Sequence, residues 1–202
     1  MAPPDWSVRE VVLQASIETI QTTIAGTFLG ALFAYPLGVL AASNWTLLWV
    51  HLPVKAVLAP IRSVPILILA LLFVSAVSLG PLPGVLAISV HSIGVLRRFA
   101  TEEIENTALR PLLALQGAGG SALQIIQCGL FPQVFPQLVA HLAIRLEMNL
   151  RDSTILGLVG AGGLDFYVLL YVNQFQWRKS GILCLTTILM VFDGEFLSWR
   201  TG

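Results

Sequence analysis

The chain has 202 residues, of which 56% are hydrophobic and 11% are charged. Typical soluble domains are about 45–50% apolar and about 25% charged, so this composition excludes an ordinary soluble enzyme and a disordered protein. Eleven basic and eleven acidic residues cancel, which gives no net attraction for nucleic acid. We therefore expect a single membrane domain over residues 1–202, with lipid and not nucleic acid as its surroundings.

Three long windows contain no Asp, Glu, Lys or Arg: residues 19–54, 63–96 and 111–144. A membrane-spanning helix needs about 20 mainly apolar residues, so each window is long enough for one helix and a turn. The pattern predicts an all-α integral membrane protein with about five transmembrane helices. They are expected near residues 13–41, 54–78, 84–100, 132–150 and 179–198.

Glycine and proline define the first two spans. Gly26, Gly30 and Gly38 give the first span a stripe of small residues, of the kind that lets membrane helices pack closely. The second span contains several prolines, which predict an oblique entry and a kink. These are Pro53, Pro60 and Pro65.

Residues 101–131 differ from the spans because they begin polar and continue as a mixed, glycine-containing stretch. This composition favours short helices at the membrane surface. Arg97, Arg98 and Arg110 lie near this loop and favour a cytoplasmic location for it. With five spans, the N-terminus is then outside and the C-terminus inside.

Residues 145–153 concentrate charge at the end of the fourth span. Charged groups at membrane depth are costly and commonly mark a transport pathway. On a helix Glu147 and Arg151 are four residues apart and can pair, while Arg145 and Asn149 lie on an adjacent surface. Guanidinium groups match phosphate or carboxylate oxygens. The alternative is an ion-pair patch that only fixes the helix end at the interface.

The remaining polar signals are weaker. Residues 157–163 are rich in glycine but lack the Lys-Ser/Thr ending of a phosphate loop, so they predict a re-entrant turn or close packing. His91 lies in the third span and is either a pathway residue or a packed histidine. No catalytic set, metal site or cofactor site is expected. The predicted pathway set is His91, Arg145, Glu147, Asn149, Arg151 and Ser153.

The surface loop and the fourth span resemble the membrane subunit of binding-protein-dependent ABC importers. That family carries a cytoplasmic pattern of Glu-Ala-Ala, three residues, Gly, and then Pro thirteen residues after that Gly. Gly119 and Pro132 keep this spacing and Ala114 matches, whereas Leu113 stands in place of the glutamate.

The resemblance is sharper to the phosphonate-type permeases. It is carried by stretches that begin at Glu18, Arg62 and Leu79, and most specifically by residues 145–163 with their arginines and glycines. Two positions depart from the branch. Asp152 stands where a small residue is usual, and Ile66 where an acidic residue is common.

The resemblance implies a MetI-like type I permease that forms half of a translocation path in the bacterial cytoplasmic (inner) membrane. It implies a second permease, either a copy of this chain or a related one. It also implies ATP-binding cassette ATPase subunits docked on residues 101–131 and an extracytoplasmic substrate-binding protein. The permease itself performs no chemistry. The residues expected to couple it to the ATPase are Ala114, Gly117, Gly119 and Pro132.

Two other interpretations stay open at this stage. Methionine-type permeases share the glycine-rich turn and the loop spacing, so an amino-acid cargo is possible. A structural membrane subunit or a membrane enzyme is the third possibility. The expected cargo is a phosphonate, a phosphite or a related phosphorus oxyanion.

Overall fold

The computed structural model describes residues 9–44 and 46–201, with the side chains of 122 and 193–201 excepted. This part of the chain is helical and contains no strand. The elements in chain order are α1 (Arg9–Ala41), α2 (Leu48–Ser63), α3 (Ile66–Val77), α4 (Pro81–Glu105), α5 (Leu109–Gly117), α6 (Ala122–Gln124), a π-helical segment (Ile125–Leu130), α7 (Phe131–Gly157), α8 (Leu164–Asn173) and α9 (Trp177–Thr201).

The closest helix pair is α1 against α4. A Cβ atom placed on Gly26 would lie 2.7 Å from Cγ2 of Ile88, and one on Gly30 would lie 2.7 Å from Cβ of Ser92. Gly38 meets Cβ of Ala100 at 2.6 Å in the same way. These distances are too short for any side chain. The predicted small-residue stripe is therefore confirmed as the surface on which α1 contacts α4.

The opposite face of α1 is exposed and mainly apolar. Its side chains include Leu13, Ile17, Phe28 and Leu32. Among the described helices α1 alone is long and apolar enough to cross a membrane by itself, with a mean hydropathy of 1.8 over its most apolar window. Helices α2 and α3 qualify only as a pair, so the count of five spans stays a prediction.

The second predicted span departs from expectation. Instead of one kinked helix, α2 and α3 are separate and their axes differ by 91°. Val64, before Pro65, is extended with φ −78° and ψ 122°. A proline disfavours the helical conformation of the residue before it, which explains a break where a kink was expected. The short helix α8 was also not predicted.

Helix ends gather into two groups. In one group Oε1 of Glu105 accepts hydrogen bonds from the backbone N–H of Ser43 at 2.8 Å and from Nζ of Lys55 at 2.9 Å. This joins the end of α4 to the α1–α2 connection. In the other group the N–H of Gly80 donates to the carbonyl of Gly160 at 3.0 Å. The two groups define two opposite ends of the helix bundle.

Within residues 101–131, α5 is a short helix as expected, whereas residues 101–105 complete α4 and residues 122–131 continue without a break through the π-helical segment into α7. Helix α5 ends in a Schellman motif: Gly119 donates to Gln116 O, and Gly120 donates to Leu115 O. Gly119 has φ +82°, which glycine adopts without strain. Ser121 and Gln124 then form a capping box that starts α6.

We predict that Gly30→Val destabilises the fold, because its side chain would collide with Ser92 and with the carbonyl of Ser89. Overpacking of this kind costs about 1–3 kcal/mol, or roughly 3–10 °C in the midpoint of thermal unfolding in detergent. Gly181→Val is the matched control, because no described atom outside its own stretch of helix backbone lies within 4 Å of the added Cβ. Equal midpoints for the two variants would contradict the close α1–α4 contact.

Candidate functional site

Helix α7 carries all of the predicted pathway residues except His91, and it presents them on two different sides. At 3.6 residues per turn, positions 145, 149 and 153 share one side, and 147 and 151 lie opposite them. The burial agrees with this division: Arg145 is 5% exposed, whereas the Arg151 side chain is 53% exposed. The structure therefore separates an interior group from a surface group.

The buried guanidinium of Arg145 contacts helix α4. Its Nη2 donates to Nδ1 of His91 at 2.5 Å, and its Nε donates to Oγ of Ser92 at 3.3 Å. A guanidinium nitrogen can only donate, so Nδ1 of His91 is an unprotonated acceptor and the ring is neutral. Oδ2 of Asp152 lies 3.8 Å from Nη2 of Arg145 and supplies the opposite charge.

Asn149 joins three helices. Its fully buried amide Nδ2 donates to Oγ1 of Thr27 on α1 at 2.8 Å and to Oγ of Ser92 on α4 at 2.9 Å. The hydroxyl of Thr27 donates a hydrogen bond to the carbonyl oxygen of Thr23, so Oγ1 of Thr27 can accept a hydrogen bond from the Asn149 amide. The polar cluster is defined as Thr27, His91, Ser92, Arg145, Asn149 and Asp152.

Glu147 and Arg151 form the surface group. Their Oε1 and Nη2 atoms are 3.8 Å apart, which agrees with the predicted pairing. The exposed apolar residues Met148 and Ile155 flank them on the helix. The face is therefore mixed in character, whereas the exposed face of α1 is mainly apolar.

Ser153 points towards the glycine-rich turn. It is buried, and it lines a small cavity with Thr19, Thr22 and the turn residues Gly162 and Gly163. The two glycines have φ of +83° and +84°, and a Cβ on Gly163 would meet Oγ1 of Thr19 at 2.7 Å. The turn is close-packed, which was one of the two predicted outcomes.

The start of α8 is capped by helix α1. Oε1 of Glu18 accepts from the N–H of Gly163 at 3.2 Å, and Oγ1 of Thr19 accepts from the N–H of Leu164 at 2.9 Å. These contacts satisfy N–H groups that a helix start leaves unpaired. The sequence signal was the repeat of Thr19, Thr23 and Thr27 every four residues, although it does not identify the partners.

The predicted coupling residues lie on an exposed surface. Ala114, Gly117 and Gly119 are exposed on or just after α5, and Pro132 is exposed at the start of α7. Buried Leu112 attaches the opposite side of α5 to a cluster with residues from the α1–α2 connection, α4, the π-helical segment and α7. The cluster includes Ala42, Ile104, Leu130 and Val134.

The family model for the inner membrane component of binding-protein-dependent transport systems matches residues 34–193. The chain belongs to this family. The resemblance drawn from its loop and its fourth span is confirmed.

Two relatives show the branch. A phosphite transport system permease, PtxC of Stutzerimonas stutzeri, is 36% identical over 190 residues, covering 94% of this chain and 69% of the relative. A phosphate-import permease, PhnE of Mycolicibacterium smegmatis, is 32% identical over 98% of this chain but only 38% of its own length.

A solved structure shows the fold. The MetNI methionine ABC transporter, in an inward-facing conformation, contains a chain that matches with a TM-score of 0.82. The match covers 98% of this chain and 97% of that one at 21% identity. This likeness establishes the MetI-like fold, whereas the phosphorus-oxyanion branch rests on the closer sequence relatives.

We predict that Ser92→Ala, which removes a single oxygen atom, lowers the stability that the polar cluster gives to the fold. The variant removes the oxygen that accepts from both Arg145 and Asn149 and leaves two buried donors unpaired, at a cost of about 1–3 kcal/mol. Ser75→Ala is the matched control, because Ser75 is exposed and, among the described residues, its hydroxyl bonds only to Leu72 O on its own helix. Thermal unfolding in detergent separates the two, and equal midpoints would show that the cluster contributes little.

Proposed function

We propose that this chain is the membrane-spanning subunit of an ABC importer that carries a phosphonate, a phosphite or a related phosphorus oxyanion. The observation that carries the proposal is the 36% identity to a phosphite permease over 94% of the chain. Partner ATPase subunits hydrolyse ATP, and an extracytoplasmic protein delivers the cargo. The permease works as a homodimer or with a related permease and has no catalytic role.

The proposed topology has five spans in the bacterial inner membrane. The end that contains Glu105 and α5 faces the cytoplasm, which places the turn at 157–163 outside. The exposed apolar side chains of α1 and α9 face lipid. Those on α9 include Leu185, Leu189 and Phe192.

The surface group on α7 is proposed to face the second permease and the pathway between the two. A charged pair is costly against lipid and is normally turned to protein or to a water-filled cavity. Glu147 and Arg151 are on the exposed side of one chain. In a dimer, a partly neutralised arginine offers an oxyanion a shallow attraction that still permits release.

The interior group is proposed to support the pathway wall from inside the chain, behind the exposed side of α7. Arg145, Asn149 and His91 are committed to contacts within the chain, and Ser153 packs at the glycine turn. They fix the orientation of α7, and therefore fix where Arg151 lies.

The test of the cargo is uptake in a bacterium that lacks its own phosphorus-oxyanion importers. The full chain is expressed with candidate ATPase and binding-protein subunits, and labelled phosphite, phosphonate and methionine are offered separately. Uptake of a phosphorus oxyanion is expected. Uptake of methionine alone would instead establish the amino-acid importer.

We predict that Arg151→Lys lowers oxyanion uptake by about threefold or more, because lysine keeps the charge but loses the planar bidentate fork. Arg9→Lys, at the exposed start of α1, is the matched control and should transport normally. If the arginine only anchors the helix end, lysine would serve equally well and Arg151→Lys would also transport normally. Arg145→Lys is expected to lower expression as well, since Arg145 contacts both His91 and Ser92.

We predict that Gly119→Val uncouples ATP hydrolysis from uptake. Valine resists the left-handed conformation at φ +82°, by about 1–2 kcal/mol, so the turn between α5 and α6 would change. Gly119→Asn is the matched variant and should keep most uptake, because asparagine tolerates that conformation. ATPase activity and uptake are measured on the same membranes, and coupled uptake by Gly119→Val would remove this turn from the docking role.

A further inference from the structure

A second cluster of basic residues surrounds a cavity that lies away from the polar cluster. The cavity has a volume of about 250 Å³ and lies between α2 and the last turns of α4. Helix α2 contributes Lys55 and Ala59, and α4 contributes Arg97, Arg98, Glu102 and Glu105. We call it the basic cavity.

Two of its three basic groups are already paired. Nζ of Lys55 lies 2.9 Å from Oε1 of Glu105, and Nε of Arg98 pairs with Oε1 of Glu102. The pKa of Glu105 is about 2: burial alone would raise it, but hydrogen bonds from Ser43 and the pairing with Lys55 lower it further than burial raises it. Glu105 therefore stays negatively charged and bound to Ser43 and Lys55.

Arg97 is the unmatched charge. Only 6% of the residue is exposed, and its buried Nε–H has no hydrogen-bond partner among the described residues. Arg62 and Arg98 repel its guanidinium, whereas Glu102 attracts it without forming a close pair. A buried charge without a counter-ion is strongly unfavourable, so an anion in the adjoining cavity would satisfy it.

We propose that the basic cavity binds a phosphorus oxyanion through Arg97, with Arg98 and Lys55 at its margin. The guanidinium fork matches the oxygens of a phosphate group, and a cavity of this volume admits such a group with water. The group comes either from a free oxyanion or from the headgroup of an anionic lipid. The site is separate from Arg145 and Arg151, and only its assignment to the cytoplasmic side depends on the proposed topology.

The experiment uses the full-length chain purified in a lipid-free detergent micelle. In one arm, inorganic phosphate or phosphite is titrated against chloride of equal ionic strength, and binding is followed by calorimetry and by the rise in unfolding midpoint. In the other arm, retention of phosphatidylglycerol is compared with that of diacylglycerol by native mass spectrometry. The variants are Arg97→Gln and Arg97→Lys, and Arg110→Gln on the exposed part of α5 is the control.

Wild-type protein and Arg110→Gln should bind in one arm, and Arg97→Gln should bind at least tenfold more weakly there. If Arg97→Gln weakens the binding of phosphate or phosphite, the ligand is a free oxyanion. If it weakens the retention of phosphatidylglycerol, the ligand is a lipid headgroup. Arg97→Lys keeps the positive charge and replaces Arg97→Gln as the test variant if Arg97→Gln does not stay monodisperse. It too should bind the oxyanion more weakly than the wild-type protein does. The proposal would be overturned if the wild-type protein bound in neither arm, or if the Arg97 variants bound as tightly as the wild-type protein. Because no transport is measured, either result is independent of the cargo.

Discussion

The close approach of α1 and α4 is the contact on which the rest of the structure depends. It exists because Gly26, Gly30 and Gly38 leave no side chain between the two helices. The approach brings Thr27 and Ser92 together, so that one amide on α7 can reach both hydroxyls. In a membrane, where lipid is as apolar as the helix surfaces, such close packing and interhelical hydrogen bonds replace the hydrophobic drive of a soluble core.

The orientation of α7 follows from that contact. Asn149 and Arg145 are held by groups on α1 and α4, which fixes the rotation of the helix and turns Arg151 outward. Asp152 balances the buried Arg145 charge at 3.8 Å. The acidic residue that departs from the phosphonate-type pattern thus has a structural role here: it compensates a buried guanidinium.

The sequence predicts the helical class, the glycine stripe and the short helix that ends before Gly119, because each depends on residues close together in the chain. Pro65 shows the limit of such reasoning. A proline predicts a distortion but not its size, and here the extended backbone at Val64 separates two helices by 91° where a kink was expected. The polar cluster was out of reach because Thr27 and Asn149 are 122 positions apart. The helical period of 3.6 residues predicts that α7 has two polar sides, but the sequence does not indicate which of them is buried.

The most direct test of this two-sided helix is the accessibility of single cysteines to a water-soluble, membrane-impermeant thiol reagent. Exposed Cys128 and Cys184 are first replaced by serine, and Ser153→Cys and Arg151→Cys are then compared in the assembled transporter. Position 151 is exposed and is proposed to face water in the pathway, so rapid labelling is expected there, and protection is expected at the buried position 153. Protection at 151, or equal labelling at both positions, would contradict the assignment of the exposed side of α7 to the pathway.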